Sequence, residues 1–280
     1  MAHLDGLTLI KEKPEHQLIV PSLDIGGGNI DMIYVFFEVA AQKKSHMFLS
    51  STYSSIMAYH GLDFFVESIL QIGANFDVNY SIHLDHTIDV DNVIKALVAG
   101  FGSVMYDGSQ YDFKTNLKET QRLTHVAKSY QASVEAELGV IGGKEDDICS
   151  DIELFPNENQ IMTFVKESGI DLFAPAIGTI HGFYKGKLNI QWEMINEVLN
   201  KVTMPLVLHG GTGLSKVLFK KLSRKGFKKC NFATGLRSAF QDGIKKGFMD
   251  NDDTLKPQQY LKYGRDNLRK YVSEIFEICM

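Results

Sequence analysis

Eight short β-rich runs recur along the 280 residues with helix-like stretches between them, and this alternation constrains the fold more than any other property of the chain. The runs are LIVPSLD (18–24), HMFLSS (46–51), YSIHLD (80–85), GSVMYD (102–107), SVEAEL (133–138), LFAPAIG (172–178), PLVLHG (205–210) and KKCNFAT (228–234). Between them Ile30, Ile33, Tyr34 and Phe37 follow an i, i+3, i+4, i+7 spacing, and Val90, Val93, Ile94 and Leu97 repeat it. Several runs are apolar on nearly every residue, as expected of strands covered on both faces. Eight βα units match a closed parallel barrel, so the expected fold is α/β, a (β/α)8 TIM barrel, with a C-terminal helical extension at about 257–278. A doubly wound open sheet competes, but GGGN at 26–29 has the wrong spacing for the GxGxxG fingerprint of that fold.

With 44% hydrophobic residues the chain can bury a large core, and one domain is expected, its core at about 16–250. The formal net charge of −5 comes without a basic block, which argues against nucleic acid or an anionic membrane as a partner. Cys149, Cys230 and Cys279 are widely spaced and form no CxxC, which fits a reducing compartment, and the cytoplasm is the simplest location. No export signal or membrane span is indicated. The longest connection expected to lack regular structure runs over 139–156, through Gly139, Gly142 and Gly143 into an acidic cluster. Following the fifth strand, it would lie over the face where barrel enzymes keep their chemistry.

Three histidines, His86, His181 and His209, each close an apolar run, after strands three, six and seven. A lone histidine at a strand end is more often a structural residue than a ligand. Three on one face of a barrel converge, and three imidazoles with an open fourth position make a catalytic zinc site. His83, within the third strand, reads as packed inward or as support for a ligand. Asp85 is placed to act as general acid or base beside the metal, or to orient a histidine. Asp107 and Glu137 can supply an alternative cation site or purely structural hydrogen bonds. Glu145, in an acidic loop, reads on its own as a solvated charge. Glycines gather after strands six, seven and eight: Gly182, then Gly210, Gly211 and Gly213 around Thr212, then the stretch Asn231 to Gly235. Small residues there let backbone N–H groups close on a phosphate.

The combination IHLDH (82–86), VEAELG with GGKED (134–146), AIGTIHG (176–182), PLVLHGGTGLS (205–215) and NFAT (231–234) resembles class II, zinc-dependent ketose-bisphosphate aldolases of the fructose- and tagatose-bisphosphate type. The similarity runs in order from about Leu18 to Phe240. It implies reversible cleavage of a ketose bisphosphate to dihydroxyacetone phosphate and an aldehyde, with His86, His181 and His209 holding Zn2+. It further implies that Asp85 exchanges the proton of the substrate C4 hydroxyl, and that Glu145 moves a proton at the carbon that becomes nucleophilic, overturning the surface-charge reading. Gly182, Lys185, Gly210, Gly211, Thr212, Asn231, Ala233, Thr234 and Arg237 become substrate-binding candidates, with a monovalent cation (Na+ or K+) nearby. The resemblance also implies a homo-oligomer, a homodimer or homotetramer. Zinc as a Lewis acid would draw electron density from the ketone.

The chain departs from the family in places. Asp24 stands where the VPAFN pattern has Asn, bringing a negative charge toward the expected phosphate. Gly235 replaces the Glu of NVATE. Arg237 is placed either to contact a second phosphate or as an exposed surface arginine. LSSTYSS (49–55) lacks the usual proline and glycine. These departures also suggest a catalytically weak paralogue or a regulatory or binding subunit, against which stand the retained histidines, Asp85 and Glu145. A barrel hydrolase typically carries HxH after strand one, where this chain reads SLD. A Schiff-base aldolase needs a lysine inside the barrel, and no strand-end motif around the histidines presents one.

Overall fold

The computed structural model describes residues 3–145, 148–150, 153–183, 188–250 and 255–280, with side chains for all of these except 144, 145 and 148–150. Eight parallel strands close into a barrel in sequence order. They are Val20–Asp24, Met47–Thr52, Tyr80–Thr87, Ser103–Tyr106, Ser133–Leu138, Leu172–Pro175, Leu206–Leu208 and Phe227–Phe232, numbered one to eight below. Each lies within one of the eight β-rich runs or overlaps it. Strand one pairs with strand eight, Ser22 opposite Asn231, and this contact closes the ring.

Side chains alternate across each strand, so the barrel has two interiors. One lies outside the strands, where Ile19, Leu23, Leu49, Ile82, Leu84, Val104, Val134, Ala136, Phe173 and Leu208 meet the surrounding helices. The other lies within the ring and is small: Val20, Phe48, Leu172, Ala174 and Val207 pack on Leu9 and Ile10 of the helix Gly6–Lys11, which plugs the N-terminal end. Asp5 starts that helix by accepting hydrogen bonds from the backbone N–H groups of Leu7 and Thr8, a cap worth about 1 kcal/mol.

Helices form at both periodic segments, Ile30–Lys43 and Val90–Ala99, each started by a capping side chain, Asn29 and Asp89. In the first, the buried face differs from the expected stripe. Ile30 and Tyr34 are about half exposed, while Met32, Ile33, Val35, Phe36, Phe37 and Val39 face inward. The spacing identified a helix, but an almost continuously apolar segment does not specify which side is covered. The C-terminal helix Pro257–Cys279 lies where expected, buries Leu268, Val272, Ile275 and Phe276, and receives the backbone N–H of Leu18 on the carbonyl of Cys279. Arg265 and Arg269 tie it to Asp31 and Glu38.

The connection after strand five corrects the expectation of an irregular loop. Gly142–Glu145 and Ile148–Ser150 form an antiparallel pair, and Gly142 and Gly143 pair in parallel with Ile180 and His181. Backbone groups that would otherwise lie unpaired over the barrel mouth find partners this way. No helix among the described residues is long and apolar enough to cross a membrane.

Candidate active site

Asp85 and His86 are consecutive on strand three, yet both side chains enter the barrel. Regular alternation would send one of them out. The register between strands three and four shifts between Leu84 and Thr87, and His86 takes φ +21°, so a bulge turns its imidazole inward. Holding a non-glycine residue in this region costs of order 1–3 kcal/mol, which the surrounding packing must supply.

The three strand-end histidines come together as expected, all buried. Their ring centroids lie 4.6 Å (His86–His209), 4.9 Å (His86–His181) and 5.8 Å (His181–His209) apart. One nitrogen from each falls within 4.8 Å of the others. Two of the rings are fixed from behind. His86 Nδ1 donates to Asp107 Oδ2 at 3.0 Å, and His209 Nε2 donates to Glu135 Oε1 at 2.9 Å. With these protons committed to carboxylates, His86 Nε2 and His209 Nδ1 face each other at 2.9 Å as two lone pairs. Two lone pairs at that distance repel unless an additional proton or a shared cation lies between them. Burial, and then the neighbouring His86, push His209 below the usual imidazole range, which disfavours the additional proton. The donor set therefore fits a borderline-soft divalent cation bound by nitrogen, with zinc the best match.

Asp107 and Glu137 form a second group with His86, whose Nδ1 lies 3.0 Å from Asp107 and 3.9 Å from Glu137. Glu137 Oε2 is buried and has no hydrogen-bond partner among the described residues. Burial, reinforced by Asp107, raises Glu137 well above the ordinary carboxylate range. Burial acts in the same direction on Asp107, but the contacts with His86 and Ser109 outweigh it and bring Asp107 to about 2. Two buried carboxylates beside one imidazole could hold a cation as well as orient His86.

Asp85 accepts on both oxygens from one side-chain amide, Asn231 Nδ2, at 2.9 Å each, and its Oδ1 accepts as well from the backbone N–H of His86 at 3.2 Å. Burial would raise it, but His86, His83 and Lys229 outweigh burial and hold it well below the usual range. A carboxylate kept ionised beside the three imidazoles is equipped to accept a proton.

Beneath this layer lies a set of residues that sequence reasoning missed. Lys229 is fully buried inside the barrel, with Nζ 2.8 Å from Glu135 Oε2, 2.9 Å from Asn231 Oδ1 and 3.1 Å from His83 Nε2. The strand-end motifs around the histidines present no lysine, and Lys229 lies within strand eight instead. Its amine, however, is held in a buried ion pair and two further hydrogen bonds, so it is not a free nucleophile for an imine. Removing one partner of such a pair typically costs about 3–5 kcal/mol. The signal was available in KKCN: Lys229 lies two residues before Asn231 on a strand and so shares its face. His83 is inward and supporting, as read, with Nδ1 2.8 Å from Ser103 Oγ.

The loops after strands six, seven and eight are in contact. Gly210, at φ +71°, lies so close to Ile180 that a Cβ would sit 2.3 Å from its carbonyl oxygen, and Gly211 N donates to Asn231 O at 3.1 Å. Thr212 is buried and Thr234 opens the helix Thr234–Asp250, with Ala233 O accepting from Leu236 and Arg237. Gly182 ends the segment that carries His181. Arg237 Nη2 and Nε reach Asp24 Oδ2 and Oδ1 at 2.6 and 3.3 Å. The expected stray negative charge at Asp24 is therefore matched by a guanidinium. Gly26 N donates to the same carboxylate at 2.6 Å. Lys185 and the side chain of Glu145 lie outside the described residues; the backbone of Glu145 ends the strand that begins at Gly142.

A closed eight-stranded α/β barrel with a histidine and carboxylate centre at the C-terminal ends of its strands defines a barrel enzyme. The family model of class-II fructose-bisphosphate aldolases matches residues 7–280, and the chain belongs to that family. It is thus a lyase that acts on a carbon–carbon bond. It is 33% identical over 262 residues to the D-tagatose-1,6-bisphosphate aldolase subunit GatY of Klebsiella oxytoca, covering 93% of this chain and 91% of that one. The YdjI aldolase from Escherichia coli K12 superposes with a TM-score of 0.83 at 22% identity, covering 99% of this chain and 97% of that one. Fructose-bisphosphate aldolase from Campylobacter jejuni superposes with a TM-score of 0.76 at 20% identity, covering 93% and 89%. Both superpositions speak to the fold.

Proposed function

We propose that the protein reversibly cleaves a ketose bisphosphate, such as fructose- or tagatose-1,6-bisphosphate, to dihydroxyacetone phosphate and an aldehyde such as glyceraldehyde 3-phosphate. The observation that carries this reading is the convergence of His86, His181 and His209, with His86 and His209 each backed by a carboxylate and Asp85 beside them. His86, His181 and His209 would hold zinc, which supplies a Lewis acid to polarise the substrate ketone. Asp85 takes the C4 hydroxyl proton as the C3–C4 bond breaks and returns it in the addition direction. Asn231 keeps that carboxylate aimed. Glu145 moves the proton at C3, the carbon left electron-rich. Backbone N–H groups around Gly182, Gly210, Gly211 and Thr234, with a monovalent cation, hold the phosphate of dihydroxyacetone phosphate. A homodimer or homotetramer in the cytoplasm completes the reading, and the free, buried thiols of Cys230 and Cys279 are consistent with that reducing compartment.

The test is a panel of ketose bisphosphates scored for release of dihydroxyacetone phosphate, before and after chelation and again after adding zinc. Chelation abolishes cleavage and zinc restores it. Full activity in metal-free protein, or inactivation by borohydride with substrate present, would sink the zinc reading in favour of an imine mechanism.

A further inference from the structure

We propose that Lys229 is a positioning residue for carbon–carbon cleavage: from beneath the site it fixes the amide of Asn231, and Asn231 fixes Asp85. The proposal rests on the reading of Asp85 as the group that handles the C4 hydroxyl proton.

The chemistry of the donors and acceptors dictates one arrangement. An ammonium has three N–H donors and no acceptor, and the three acceptors around Lys229 are Glu135 Oε2, Asn231 Oδ1 and His83 Nε2. Asn231 must therefore turn its oxygen down toward Lys229. Its NH2 then points up to Asp85, 2.9 Å from each carboxylate oxygen. The flipped amide would set an oxygen against the carboxylate and an NH2 against the ammonium, so both neighbours reject it. Lys229 cannot itself reach substrate, because it is fully buried one layer below, 5.3 Å from the centre of the ring of Phe48, which packs inside the barrel against the N-terminal plug helix. Its effect on the reaction passes through Asn231. Glu135 has a separate task, since its other oxygen orients His209.

The experiment uses the full-length, zinc-loaded enzyme. Lys229→Met is made together with Glu135→Gln, so that no lone charge is left in the barrel, and is compared with Glu135→Gln alone. The double variant loses about 100-fold in kcat for ketose-bisphosphate cleavage, the scale expected when a catalytic group is displaced by about an ångström, while KM changes little. Relative to Glu135→Gln alone, zinc content is unchanged and dihydroxyacetone phosphate still exchanges its C–H proton with solvent. In an Asn231→Ala background the same Lys229 substitution costs less than about threefold, because the route is already cut. Equal losses in both backgrounds, a change confined to KM, or loss of zinc beyond that of Glu135→Gln alone would overturn the proposal.

The unsubstituted protein supplies a second measurement should the variants fail to fold. The Asn231 side-chain amide, identified in 15N–1H spectra by its absence in Asn231→Ala, gives proton resonances that exchange slowly with water, far more slowly than those of exposed asparagine amides. Exchange as fast as at exposed asparagines contradicts the fixed amide whatever reaction the enzyme catalyses. Failure of the unsubstituted enzyme to cleave any ketose bisphosphate would instead contradict the functional reading.

Discussion

Arg237 grips Asp24 through Nη2 at 2.6 Å and Nε at 3.3 Å, so the carboxylate at the end of strand one and the guanidinium near the start of the helix after strand eight form a single neutral unit. The geometry joins two departures from the family pattern that looked unrelated in sequence. The added negative charge and the arginine compensate each other, and the arginine has less positive charge to offer a phosphate than an unpaired one would have.

Asp24→Asn should therefore tighten binding of dihydroxyacetone phosphate by up to roughly tenfold, the equivalent of one charge-assisted hydrogen bond released to the ligand. Isothermal titration of the variant checks this. Adding Arg237→Met to Asp24→Asn should remove the gain. Weaker binding by Asp24→Asn would mean that the carboxylate itself recognises substrate, through a hydroxyl.

Asp85→Ala should separate the two half-reactions. Cleavage falls about a thousandfold, because nothing is left to take the hydroxyl proton as the bond breaks. Dihydroxyacetone phosphate should still bind and exchange its pro-nucleophilic C–H proton, monitored by NMR. If exchange disappears along with cleavage while zinc content and binding stay normal, Asp85 also takes part in forming the nucleophile.

Away from the site, Asp171 accepts from Val134 N at 2.9 Å, and burial raises its pKa above the usual aspartate value. A carboxyl raised in the folded state contributes stability that is fully present below its unfolded pKa of about 3.9 and lost as pH rises through the folded value. At neutral pH its ionised form thus weighs against the fold. Asp171→Asn, which keeps an acceptor for Val134, should melt about 1–2 °C higher than the parent at pH 7, with the difference vanishing near pH 3. A lower melting temperature at pH 7 would show that the ionised carboxylate is favoured after all.

The fold was legible in sequence because eight apolar runs at regular intervals leave few topologies, and the three converging histidines were legible because each closes such a run. Asp85 was legible only as a neighbour of His86. Nothing in the one-dimensional order reveals the bulge that lets both face inward, since a register shift depends on the adjacent strand. Lys229 and Glu135 were hidden for a different reason. Charged residues inside apolar strands resemble interruptions until alternation is applied across the whole barrel and they are seen to meet each other. The pair Asp24 and Arg237, 213 positions apart, becomes visible only when strand eight closes against strand one.

The backbone that carries His181 is pinched between two residues that have no side chain. Gly143 pairs with it on one side, where a Cβ would come within 2.4 Å of the His181 carbonyl oxygen, and Gly210 presses on Ile180 from the other. For protein engineering this divides the mouth of the barrel into unequal parts. His86 and His209 can be transplanted with their strands and the carboxylates behind them. His181 comes only as an assembly of three chain segments, and any graft that exchanges the segment after strand five must preserve a hydrogen atom where every other amino acid has a carbon.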